Sequence, residues 1–96
     1  MDRNLQTLKE KTSSAINIIN EALELNRDET VSISSVTLSR SEAGKLLRSL
    51  QKIKEQDSIR DSDTQAIPMK LISSSIIWRD LQIAINKAYI PYYKER

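Results

Sequence analysis

The chain has 96 residues, of which 39% are hydrophobic and 29% charged, and its formal net charge is +2. This composition predicts one small globular domain rather than a disordered chain. The absence of cysteine excludes disulfides and thiolate metal sites, while the small net charge by itself indicates neither nucleic acid nor membrane as a partner. No segment resembles a signal peptide or a membrane span, so we expect a cytoplasmic protein.

The N-terminal part is predicted to form a helix over residues 3–27. A single glycine and two prolines in the whole chain favour long helices over a many-turned β fold. Apolar or small side chains recur three and four residues apart, which is typical of one buried helix face. These positions are Leu5, Leu8, Thr12, Ala15, Ile19 and Ala22.

Residues 30–38 change to the pattern of an extended chain, because β-branched residues are dense there. The apolar residues of this segment are Val31, Ile33, Val36 and Leu38. The first two stand at odd-numbered positions and the last two at even-numbered positions. This shift of the alternation at Ser34 and Ser35 predicts a bulge or a kink in the strand. A hairpin is less favoured, because a serine pair lacks the preference for positive φ that a two-residue turn requires.

An unpaired strand edge needs a partner, and three arrangements are open for residues 31–38. The strand can pair with its copy in a homodimer, pair with residues 71–77 if they are extended, or pack as a linker across two helices. The segment "VTLSRSEAGKLL" combines the end of this strand with the start of a capped helix, and a further helix follows. This order of elements, a strand and then two helices, is similar to that of the ribbon-helix-helix DNA-binding proteins. That similarity implies a dimer that binds nucleic acid. The chain departs from this order because a whole helix precedes the strand and a long acidic loop precedes the last helix.

The second helix is predicted over residues 40–56, with an apolar face formed by Ala43, Leu46, Leu47, Leu50 and Ile53. Ser39 and Glu42 have the spacing of a capping box, in which each side chain accepts a hydrogen bond from the backbone amide of the other residue. Gly44, near the helix start, is expected to allow a close helix contact.

Lys45, Arg48 and Lys52 form a basic face on this helix, on the side opposite its leucines. They are spaced three and four residues apart and therefore lie next to one another. A solvated helix surface would explain them without any function. The functional interpretation is a contact surface for phosphates or for an acidic partner.

The third helix is predicted over residues 68–90, from Pro68 in its first turn to the stop at Pro91. Its start is ambiguous, because Leu71 to Ile77 is rich enough in isoleucine and serine to form a strand. The acidic loop at residues 57–65 is expected to be solvated, with acids that help to cap this helix. A short tail, residues 91–96, follows.

These elements predict a mainly α fold, a three-helix antiparallel bundle with one short extended segment between the first two helices. The second helix is the shortest and leaves part of the other two apolar stripes uncovered, and a partner or a second copy would bury that surface. Because the chain has no phenylalanine, Trp78 is the one large ring expected in the core.

No enzyme activity and no catalytic, cofactor or metal site is predicted, because histidine and cysteine are absent. The run from Asp61 begins like a calcium-binding loop, but Ala66 and Ile72 stand where that loop needs glycine and glutamate. We therefore predict a small non-catalytic protein that binds another protein, as a regulator, inhibitor, adaptor or immunity-type factor of a bacterium or phage. The predicted contact residues are Lys45, Arg48, Lys52, Trp78, Tyr92 and Tyr93. The alternative is a dimeric nucleic-acid-binding regulator that pairs its 31–38 strand and uses the basic face.

Overall fold

The structure, a computed structural model, describes residues 3–89, which are mainly helical with one short two-stranded antiparallel sheet. Its elements follow in the order α1 (Arg3–Leu25), β1 (Thr30–Ile33), β2 (Val36–Ser39), α2 (Arg40–Glu55), a 3₁₀ helix (Asp61–Gln65), α3 (Met69–Ser74) and α4 (Ile76–Ala88). Within the described part of the chain, no helix is both long and apolar enough to cross a bilayer.

Helix α1 is the common support of the fold, because both α2 and α4 pack along it. Its buried positions follow the expected stripe: Leu8, Thr12, Ala15, Ile16 and Ile19. The Thr12 hydroxyl is satisfied inside this stripe, since it donates a hydrogen bond to the carbonyl oxygen of Leu8 at 2.7 Å. Near the opposite end of the molecule from the sheet, the Asn4 side-chain amide donates to the carbonyl oxygen of Lys87 at 3.4 Å. Helix α4 therefore ends beside the start of α1 and runs antiparallel to it.

The expected single strand is in fact a β-hairpin, which corrects the prediction of a bulge or kink. β1 and β2 pair antiparallel, from Thr30 opposite Ser39 at the open end to Ile33 opposite Val36 at the turn. The strand is thus paired within its own chain, and not with a copy or with residues 71–77. The order of a lone strand followed by two helices, on which the likeness to ribbon-helix-helix proteins depended, is absent from residues 3–89.

The hairpin turn consists of Ser34 and Ser35, whose φ angles are 52° and 66°. Two consecutive positive φ angles are what a type I′ turn requires, and such a turn matches the twist of the flanking strands. Serine adopts this conformation at a cost of roughly 1–2 kcal/mol per residue, so other contacts must hold the turn. One of them is the hydrogen bond from the Trp78 indole Nε1–H to the Ser34 hydroxyl oxygen, at 2.8 Å.

The start of α2 is confirmed as a capping box. The Ser39 hydroxyl oxygen accepts a hydrogen bond from the Glu42 amide, and the Glu42 carboxylate accepts one from the Ser39 amide, both at 3.0 Å. The first residue of the helix, Arg40, reaches back to the end of α1. Its guanidinium donates to the carbonyl oxygens of Leu23 and Asn26, and these hydrogen bonds satisfy groups that the end of a helix leaves unpaired.

The expected helix over residues 68–90 is interrupted, and this corrects the prediction of a three-helix bundle. Ser75 has extended backbone angles of φ −149° and ψ 139°, and it separates α3 from α4. Its hydroxyl oxygen accepts a hydrogen bond from the Ile77 amide, so that Ser75 caps the new helix. Three consecutive serines favour such a break, because their side chains compete for backbone hydrogen bonds. The alternative of a strand over residues 71–77 is also wrong.

The chain between α2 and α3, residues 56–68, returns along α2 and is called here the return segment. Asp63 is buried in it, which corrects the expectation of a fully solvated loop that caps the third helix. The Asp63 carboxylate accepts hydrogen bonds from the Gln56 side-chain amide at 2.7 Å and from the Arg60 backbone amide at 2.9 Å. Both hydrogen bonds join residues of the return segment, and they hold the 3₁₀ helix against the end of α2.

Uncovered apolar side chains are concentrated at α3 and α4, not along α1. Met69 is 72% exposed, Ile76 65% and Ile77 49%. Leu25 at the end of α1 is exposed too, but the central stripe of that helix is covered by α2, α4 and β1. The uncovered apolar surface therefore lies on α3 and α4 and at the end of α1.

The hydroxyl of Ser34 should contribute measurably to stability, because Trp78 is fully buried and, without this hydroxyl, its Nε1–H would lose its hydrogen-bond partner among residues 3–89. We expect Ser34→Ala to lower the free energy of unfolding by about 1–3 kcal/mol, as measured by urea denaturation. Ser35→Gly is the matched control, since it relaxes the positive φ without touching the tryptophan, and should raise stability by about 1 kcal/mol. Equal stability of Ser34→Ala and the wild type would contradict this account.

Gly44 is not needed for a close helix contact, contrary to the sequence prediction. A Cβ atom added there would meet only the Arg48 Nη1 atom, at 3.5 Å, and the φ of Gly44 is not positive. We expect Gly44→Ala to raise the free energy of unfolding by about 0.5–1 kcal/mol, because alanine is the better helix former. Gln51→Ala, at an exposed position of the same helix, should change it by less. A destabilised Gly44→Ala protein in urea denaturation would show that the space is in fact occupied.

Candidate binding groove

The basic face predicted from the sequence is present on α2 and is open to solvent. Lys45, Arg48 and Lys52 are all exposed, whereas Leu46 and Leu50 on the other side of the helix are buried. Within residues 3–89, none of the three cations has an ion pair or a hydrogen bond from its side chain. Their charges are therefore available to a partner.

A groove of about 520 Å³ lies beside this face, between α2 and the return segment. It forms because the return segment starts at the end of α2 and leads to Lys70, whose ammonium group lies 3.3 Å from the Glu42 carboxylate at the beginning of α2. Side chains of both elements line it: Glu42, Lys45, Leu46, Ser49, Lys52, Ser62, Asp63, Gln65, Ala66 and Pro68. Two of the three cations of the basic face therefore face the groove.

The two carboxylates of the groove are already engaged by donors of the protein. Asp63 accepts from Gln56 and Arg60 and is buried. Glu42 accepts from the Ser39 amide and forms the ion pair with Lys70. The hydrogen bond from Ser39, followed by the one from Lys70, holds the pKa of the Glu42 carboxyl below its ordinary value. The groove is thus lined by two carboxylates that accept intramolecular hydrogen bonds and by two ammonium groups that have no partner among residues 3–89.

Neutral donors complete the lining. The side chains of Ser49, Ser62 and Gln65 have no hydrogen-bond partner among residues 3–89. Ser49 lies on α2 between Lys45 and Lys52, four residues after the first and three before the second, and so shares their side of the helix. Hydroxyl and amide groups next to ammonium groups are suited to binding an anion.

Only two of the six predicted contact residues lie together in the groove. Lys45 and Lys52 line the groove, whereas Arg48 lies outside its lining, next to Gly44. Trp78 has no exposed surface, and a ring buried in the core does not contact a partner in this conformation. Tyr92 and Tyr93 lie outside the described residues.

Sequence inspection missed the return segment as one wall of the groove. Ser62 and Gln65 belong to the polar stretch that was expected to be a solvated loop. The available signal was two apolar residues that are buried in the structure, Ile59 inside this stretch and Ile67 just after it. Apolar residues within and next to a polar connecting segment indicate that the segment packs on the core.

A second, smaller groove of about 340 Å³ lies between α1 and α4. Its lining includes three cations, Arg3, Lys11 and Lys87, and one carboxylate, Asp80. No group of three or more potential metal ligands occurs among residues 3–89.

No protein-family model matches the chain, and neither a curated protein nor a solved structure matches it. Function is therefore inferred from the residues of this chain alone. The observations that bear on it are the unpaired cations of α2, the groove beside them and the exposed apolar side chains of α3 and α4.

The ionised form of Glu42 should stabilise the fold, since the folded chain lowers the pKa of this carboxyl below its ordinary value of 4.5. The stabilisation is complete above the pKa of the unfolded chain and is lost as the pH falls through the lower pKa of the folded chain. We expect Glu42→Gln to be less stable than the wild type at pH 7, with a difference that shrinks near pH 3. Urea denaturation at both pH values measures this, and a difference independent of pH would contradict the assignment.

Proposed function

We propose that the protein is a small non-catalytic binding protein, which regulates another protein by holding an acidic surface of that partner against α2. The observation that carries the proposal is that Lys45, Arg48 and Lys52 are three exposed cations on one helix face and have no partner among residues 3–89. Unpaired cations on one rigid helix attract a negatively charged surface and orient it during association.

A protein partner is favoured over nucleic acid by the exposed apolar side chains of α3 and α4. The ion pair between Lys70 and Glu42 holds the start of α3 against the start of α2. Met69 precedes Lys70, and Ile76 lies in the first turn of the next helix; both are largely exposed. Protein interfaces combine buried apolar contacts with a charged rim, whereas binding to a nucleic-acid backbone depends mainly on phosphate contacts.

Nucleic-acid binding remains the second candidate, because the basic face alone would also fit phosphates. The dimeric form of that hypothesis depended on pairing of residues 31–38 with a second copy. Since β1 and β2 pair with each other within the chain, this candidate now rests on the three cations of α2 only.

The proposal is tested by removing the three charges of the basic face together. We expect the variant Lys45→Gln, Arg48→Gln, Lys52→Gln, used as bait in quantitative affinity purification, to lose acidic proteins that the wild type retains. The physical reason is the loss of the three cations on one side of α2 that have no partner among the described residues. The fold should persist, because all three side chains are exposed.

A second triple variant, Arg27→Gln, Lys54→Gln, Arg79→Gln, loses the same charge at exposed positions outside the groove and is the matched control. It should retain the same proteins as the wild type. Loss of the same proteins in both variants would show that only net charge matters, and loss in neither would overturn the proposal. Salt-dependent binding of duplex DNA, abolished by the first variant alone, would support the nucleic-acid candidate instead.

A further inference from the structure

We infer that two copies of the chain pair through the outer face of α4, side by side and parallel, about a two-fold axis that runs along the helices. The outer face consists of the exposed residues Ile76, Arg79, Asp80 and Ile83, none of which lines the groove beside α2. The inference goes beyond the proposed function, because it assigns a second surface and leaves the basic face of α2 and Met69 open to another protein.

Two exposed isoleucines mark the middle of the outer face. Ile76 is 65% exposed and Ile83 44%, whereas the apolar side chains on the opposite side of α4 are buried. Seven residues separate the two isoleucines, so they lie almost in line along the helix and about 10 Å apart. Seven residues are also the repeat by which helices pair side by side in coiled coils. The two isoleucines therefore form a line that a second helix can cover.

Two side chains of opposite charge flank this line. Helical periodicity places Arg79 about 50° to one side of the isoleucines and Asp80 about 50° to the other. Among residues 3–89, neither side chain forms an ion pair or a hydrogen bond. This holds although Asp80 lines the second groove together with three cations. Both charges are therefore available to a surface that approaches α4 from outside.

The two charges select the orientation of the pair. In a parallel pair, the two-fold axis places Arg79 of each copy opposite Asp80 of the other at almost the same height, so that two ion pairs form between the isoleucine contacts. In an antiparallel pair that brings Ile76 against Ile83, Arg79 would oppose Arg79 and Asp80 would oppose Asp80. Like charges that oppose each other disfavour association. The outer face is thus complementary to itself in the parallel orientation.

The contact is small, because it covers two isoleucines of each copy. Interfaces that bury less than about 1,200 Å² belong to weak and transient complexes. We therefore expect a dissociation constant of about 0.1–1 mM. Sedimentation equilibrium of the full chain at low salt, at protein concentrations up to about 1 mM, should show an average mass that rises from monomer towards dimer.

Charge reversal tests the two ion pairs. Arg79→Asp puts carboxylates on both flanks of the line and Asp80→Arg puts guanidinium groups on both, so each variant alone should associate about tenfold more weakly than the wild type. The double variant exchanges the two flanks and should associate like the wild type. An equimolar mixture of the two single variants should form heterodimers for the same reason. Arg27→Asp, at an exposed position outside α4, is the control and should stay within about twofold of the wild type.

Disulfide trapping tests the orientation, since the chain has no cysteine of its own. In the parallel pair each isoleucine meets the same residue of the other copy, so Ile76→Cys and Ile83→Cys should each form a cross-linked dimer under mild air oxidation. In an antiparallel pair, a mixture of the two variants would cross-link and neither variant alone would. Leu25→Cys, at the exposed end of α1, is the control and should cross-link far more slowly.

Three results would overturn the inference: a wild type that stays monomeric at about 1 mM, a double variant that associates as weakly as the single variants, or cross-linking of the mixed cysteine variants only. A monomeric chain that captures a different protein, and loses it in Ile83→Ser, would assign the outer face to that protein and overturn the inference as well.

The proposed function is decided separately. Its control variant contains Arg79→Gln, which should pair more weakly but keep the acidic proteins, because the cations of α2 are intact. A monomeric wild type that still loses those proteins when Lys45, Arg48 and Lys52 are neutralised would refute the pairing and leave the proposed function standing.

Discussion

Ser34 and Ser35 adopt positive φ angles, and the path of the chain after α1 depends on the turn that they form. A two-residue turn sets Ile33 opposite Val36, so apolar residues of opposite parity in the two strands face the same side of the hairpin. The side chains buried by this arrangement are Val31, Ile33 and Leu38. The change of parity at the serines is therefore the mark of a hairpin, whose strands cover α1 and deliver the chain to the start of α2.

Two contacts tie this hairpin to the helices on either side of it. Trp78 on α4 donates its indole hydrogen bond to Ser34, which offsets part of the cost of the turn. Arg40, directly after β2, donates to carbonyl oxygens at the end of α1, so the two ends of the hairpin segment are held together. Since the tryptophan is fully buried, movement of the turn would disturb the core as well as the sheet.

The groove is a consequence of how the chain returns from the end of α2 to its beginning. Asp63 anchors the return segment at one end, and the ion pair between Lys70 and Glu42 anchors the chain beyond its other end. Both anchors engage carboxylates, and neither Lys45 nor Lys52 forms an ion pair with another described residue. The Asp63 carboxylate keeps its charge there, because its two donors are neutral amides, and the groove is lined by as many carboxylates as ammonium groups.

The sequence by itself determined the features that arise from contacts within about four residues along the chain. The stripe on α1, the capping box of Ser39 and Glu42 and the basic face of α2 follow from helical periodicity and from hydrogen bonds between near neighbours. Only the tertiary structure decided the hairpin, the burial of Asp63 and the groove. The serine turn depends on a tryptophan 44 residues away, and the groove needs two elements side by side. No local pattern encodes such distant contacts, because their stabilisation appears only when the core brings the partners together.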